Sequence, residues 1–69
     1  MTIKEWLADL ASSNTSTEKD SEMMERLLKR VGETKARVVG GIVYLNGVGT
    51  MEAPPMDIHS FAKGMLKAS

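Results

Sequence analysis

The sequence predicts a small α+β domain with elements in the order α-α-β-β(-β)-α, an antiparallel hairpin or meander packed by three short helices. Apolar residues recur at offsets of 0, 3, 4, 7 and 8 over residues 3–11 and again over 58–66, the period of a helix with one buried face. Residues 18–30 run from Glu18, Asp20 and Glu22 to Lys29 and Arg30, the charge order that a helix dipole favours. Arg37-Val38-Val39 and Ile42-Val43-Tyr44-Leu45 flank Gly40-Gly41, the pattern of a two-residue hairpin turn whose central positions need positive φ.

Each element has its own local signals. Thr2 followed by Glu5 is a capping-box pattern, and Ile3, Trp6, Leu7, Leu10 and Ala11 form the apolar stripe of the first helix. SSNTST, residues 12–17, ends it, because small hydroxylated side chains compete with the helical backbone for hydrogen bonds. The second helix starts near Thr15 to Thr17 and stops at Gly32. Its Met23, Met24, Leu27, Leu28 and Val31 cover an arc of about 140°, a broad face to bury. After the hairpin, Asn46-Gly47 is a second turn signal, so Val48 to Met51 is the expected place of a third short strand. Ile58, Phe61, Ala62, Met65 and Leu66 give the last helix, with Asp57 as its cap. Gly64 weakens that helix by about 1 kcal/mol relative to alanine.

Size and composition bound the functions. A chain of 69 residues is read as one domain, 1–69, near the size at which a fold buries only about 60% of its unfolded surface and gains from association. No cysteine is present, which excludes disulfides and cysteine-ligated zinc and fits a reducing compartment. Glu5 and Asp9 stand where a signal peptide carries a basic start and an unbroken apolar run. The 14 residues from Val38 to Met51, the longest stretch without charge, are too few to span a bilayer. A cytoplasmic location without membrane contact is therefore expected. The formal charge is zero, with residues 1–25 acidic and residues 26–37 basic, which argues against binding nucleic acid by bulk charge but leaves a local basic patch.

The chemistry-bearing motifs are few. Gly47-x-Gly49 meets Glu52 and then Pro54-Pro55 where a phosphate loop needs a third glycine and a helix start, and no glycine precedes the Lys-Ser/Thr of a Walker loop. Asp57, His59 and Ser60 diverge on a helix and do not make a nucleophile, base and orienter chain. Asp20, Glu22 and Glu25 lack calcium-loop spacing and read better as helix-surface charges, with Glu22–Arg26 and Glu25–Lys29 in the favourable i to i+4 order. No catalytic residue, metal or cofactor is assigned on these grounds.

What remains points to partners. With Arg26 and Lys29 matched on their own helix, Arg30, Lys35 and Arg37 are the unpaired cations, a thin footprint for phosphates. Tyr44 offers area with a polar handle, and Met23 and Met24 are adaptable apolar contacts, although methionine fills cores as readily. Trp6 is read as core. Ile42 to Leu45 is apolar on both faces, so either helices cover both or a second copy covers one; a homodimer is expected.

Thr2-Ile3-Lys4-Glu5-Trp6, a second helix and a hairpin ending in Tyr44-Leu45 resemble phage excisionases, small winged-helix DNA-bending proteins. That resemblance implies the second helix in a major groove and residues 37–45 as a wing. The acids Glu18, Asp20, Glu22 and Glu25 depart from it. Met23 to Leu66 is also similar to the helix-hairpin-helix part of BON domains, without their closing strand. The function expected is a small non-enzymatic protein-binding module, an adaptor or inhibitor of a larger protein partner that self-associates. The alternative is a DNA- or RNA-binding regulator with a winged-helix-like arrangement using Arg30, Lys35 and Arg37.

Overall fold

The first helix begins where its cap was read. In the computed structural model, which describes residues 2–68, α1 spans Ile3–Ser12 and the Thr2 hydroxyl accepts the Glu5 amide at 3.2 Å. α2 spans Glu18–Arg30 behind a complete capping box, in which Thr17 accepts from the Asp20 amide and Asp20 accepts from the Thr17 amide. It ends in a Schellman motif. Gly32, at φ +106°, lets the Glu33 amide reach the Leu28 carbonyl at 2.9 Å and its own amide reach Lys29, which satisfies carbonyls that the helix end leaves open.

β1 (Arg37–Val39) and β2 (Ile42–Tyr44) pair antiparallel across Gly40 and Gly41, at φ +57° and +78°, as a primed turn requires. A Gly40→Ala substitution meets no atom within 4 Å, so its cost is conformational alone, about 1 kcal/mol. Gly41→Ala should cost more, because the added carbon would sit 2.9 Å from Ser16 Oγ. Urea unfolding of the two variants checks this order; equal stability of Gly41→Ala and wild type would contradict it.

The third strand is not where Asn46-Gly47 placed it. Residues 48–51 lie in a loop, and β3 is Met56–Asp57, paired with β2 through Ile42↔Asp57 and Val43↔Met56. The reason is what each candidate buries. Val48 and Met51 stay exposed, whereas pairing at Met56–Asp57 lets the Ile58 amide bond Gly41 at 2.8 Å and puts Ile58 fully inside. α3 (Ile58–Ala68) follows directly, with the Asp57 carboxylate accepting the His59 and Ser60 amides at 3.0 Å each, as expected of a cap.

The chain is thus a small α+β fold with three helices and a three-stranded antiparallel sheet in the order β1-β2-β3. α1 packs against α3 and α2 against β1. Leu7, Leu10, Met24, Leu28, Ala36, Val38, Val43, Ile58 and Ala62 form the core where they meet. One sheet face, carrying Val38 and Val43, is buried; the other, carrying Arg37, Val39, Ile42, Tyr44 and Asp57, has no helix over it. No helix among the described residues is long and apolar enough to cross a membrane.

Candidate functional site

The broad face read on α2 is only half buried. Met24 and Leu28 enter the core with Ser21, but Leu27 is half-buried, Met23 is 48% exposed and Val31 is 65% exposed. The physical reason is that α2 leans its Ser21-Met24-Leu28 stripe on the hairpin and the helices behind it. Its Met23-Leu27 edge is left beside α1, where Ile3, also apolar, is 51% exposed.

These residues line one groove. Ile3, Trp6, Met23, Arg26, Leu27 and Arg30 enclose about 60 Å³ between α1 and α2, well under the ~300 Å³ at which small-molecule pockets begin, and Ile3, Trp6 and Met23 also line an adjoining open hollow of about 180 Å³ beside Thr2. The helices run in opposite directions along it, since Ile3 lies at the Arg26–Arg30 end while Asp9, Leu10 and Ser13 lie beside Asp20. Trp6, read as core, stands at its wall, with its indole N–H donating to Asp20 Oδ1 at 3.2 Å. Asp20 therefore bridges the two helices. The Thr17 amide above all, and then the Trp6 indole, hold its carboxyl below the usual carboxylate value.

The groove is polarised. The Glu22–Arg26 pair expected on α2 is absent, and the one ion pair among the described residues is Lys29–Glu25 at 3.4 Å. Glu25 is held elsewhere as well: its Oε1 accepts the Val38 amide of β1 at 2.9 Å. That bond, ahead of Lys29 and Arg37, lowers its pKa. Arg26 and Arg30 have no acidic partner among the described residues at one end of the groove, and Asp9 and Asp20 mark the other.

Of the cations read together, Arg30 is set apart from Arg37. Arg30 lines the groove, whereas Arg37 lies close enough to Glu25 to favour its charge, and positions 25 and 30 differ by about 140° around a helix at about 100° per residue. The Lys35 carbonyl and the Arg37 stem flank Gly47 at the far end of the hairpin. Tyr44 sits on the open sheet face opposite Arg37. Met24 is fully buried and unavailable to a partner, while Met23 is a groove residue. Asp57, His59 and Ser60 are committed to other bonds: the Ser60 hydroxyl donates to Asp57 Oδ2 at 2.8 Å, and His59 Nδ1 meets the Leu10 carbonyl of α1 at 2.7 Å. Ile3, Trp6, Arg26 and Leu27 line the groove as well, beyond the partner-binding residues the sequence suggests. Of these only Leu27 falls on the apolar arc that the sequence shows on α2.

No protein-family model, curated protein or solved structure matches this chain.

Proposed function

We propose that the chain is a small non-enzymatic protein-binding module, an adaptor or an inhibitor of a larger protein, that also self-associates. The observation that carries the reading is the α1–α2 groove, in which exposed Ile3 and Met23 and half-buried Trp6 and Leu27 lie beside two arginines that have no ion-pair partner among the described residues. Trp and Arg are the side chains that dominate binding energy at interfaces. A Met23→Glu substitution places charge in the groove without touching the core. Affinity capture should retain a protein on wild type and on the loop control Met51→Glu, and lose it on Met23→Glu. A protein held equally by all three would contradict the groove as its site.

Self-association is assigned to the open sheet face. Val39, 56% exposed, with Ile42 and Tyr44 makes an apolar centre, and the register puts Arg37 and Asp57 at diagonally opposite corners of that face. A two-fold axis through the centre brings Arg37 of each copy over Asp57 of the other, the self-complementary pattern of an isologous interface. Sedimentation equilibrium at low micromolar concentration should give about twice the 7.5 kDa chain mass, and Val39→Lys should return the monomer. A wild-type monomer throughout would contradict it.

A further inference from the structure

We propose that the groove takes an amphipathic helix of the partner whose acidic residues are gathered at one end of its apolar stripe. This rests on the reading of the groove as a protein-docking surface. The sheet does not offer the other common mode, addition of a strand. The outward amide of Val38 on β1 is taken by Glu25 at 2.9 Å, and the amide of Ala36, just before the strand, by the Glu33 carbonyl at 3.1 Å. Beside β3 the chain carries Pro54-Pro55, which have no amide to give. What stays open is a trough between two antiparallel helices, and a third helix laid along it inserts apolar side chains spaced i and i+3 or i+4 between Ile3 and Trp6 on one wall and Met23 and Leu27 on the other.

Charge sets the orientation of that helix. Arg26 and Arg30 follow one another at i and i+4 at the Ile3 end and have no carboxylate within ion-pair distance among the described residues. Guanidinium groups placed so, beside apolar surface, favour carboxylates, which they bind in bidentate geometry. Asp9 and Asp20 at the other end repel acids there. The same two aspartates disfavour a phosphate backbone running the length of the groove. The occupant is thus apolar along one face, acidic at the arginine end and not acidic at the other.

The test selects helix-forming peptides from a displayed library, with apolar and charged positions randomised, against the full chain and against Arg26→Glu/Arg30→Glu. Circular dichroism confirms that the variant keeps its fold, and Trp6 fluorescence reads the affinity of the selected peptides. Wild type should enrich Asp and Glu at one end of the stripe, and the variant should enrich Lys and Arg there. A selected peptide should lose about tenfold in affinity for wild type when its acids are changed to glutamine, and should not bind Met23→Glu. Peptides lost on Met23→Glu but selected without acidic bias overturn the charge assignment and leave the docking surface standing. Failure to select any peptide sensitive to Met23→Glu overturns both. Two further results overturn the proposal: binding of duplex DNA that is lost in the arginine variant, and self-association that is lost in Met23→Glu, which gives the groove to a second copy.

Discussion

Replacing Met24 by alanine should lower stability by about 2–5 kcal/mol, the cost of removing a large apolar side chain from a packed site, and leave much of the chain unfolded at physiological temperature. Met24 is fully buried among the helices and the hairpin, and a core in a chain this short rarely supplies more than about 3–5 kcal/mol in total. The neighbouring Met23→Ala, at a half-exposed groove position, should change stability by no more than about 0.5 kcal/mol. Met24→Leu, which conserves volume, should cost less than about 1.5 kcal/mol. Urea unfolding followed by circular dichroism gives all three numbers. Equal losses at positions 23 and 24 would contradict the seating of α2.

Glu25→Ala should be a strongly damaging change at a half-buried acid. Its carboxylate accepts the Val38 amide, and with Ser21, one turn earlier and accepting the Gly41 amide at 3.2 Å, it fastens the hairpin to α2. The expected loss is about 1.5 kcal/mol, the low end for a bond to a charged acceptor because water still reaches the carboxylate. The freed Val38 amide should also promote pairing of β1 edges between molecules. Glu25→Gln keeps an acceptor and should restore most of the loss. The pH dependence has a definite sign. Asp20, Glu25 and Asp57 all titrate below their ordinary values of 3.8, 4.5 and 3.8 in the folded chain, so below about pH 4.5 the unfolded chain binds more protons and stability falls as pH falls. The stabilisation is complete above that value. A Glu25→Gln chain should show a shallower acid limb, and an acid limb as steep as wild type would contradict the Val38 bond.

The helices, their caps and the hairpin were legible because each rests on local rules: capping residues, a period near 3.6 and paired glycines that need positive φ. The third strand was not, because Asn46-Gly47 states only where the chain turns, and the burial of Ile58 decides what pairs with β2. Ser21 was legible in principle. It falls on the same stripe as Met24 and Leu28, and a small polar residue there signals a backbone donor packed against the helix. Glu25 was read through its i to i+4 lysine, which is present, while its bond to Val38 is a contact between elements that helix spacing does not reveal. The groove was hidden for the same reason. An apolar arc on α2 shows how much surface is available to bury, but not that α1 stops short of covering it.

On the proposal made above, the α1–α2 groove receives the partner. Amide and indole resonances of the nitrogen-labelled chain, titrated with the protein captured by wild type, test it most directly, since Trp6 is the single tryptophan and its indole N–H lies at the groove wall. Shifts should concentrate at Ile3, Trp6, Met23, Arg26, Leu27 and Arg30, with residues 46–53 unmoved. Shifts centred on Val48 and Met51, with the Trp6 indole unchanged, would contradict it.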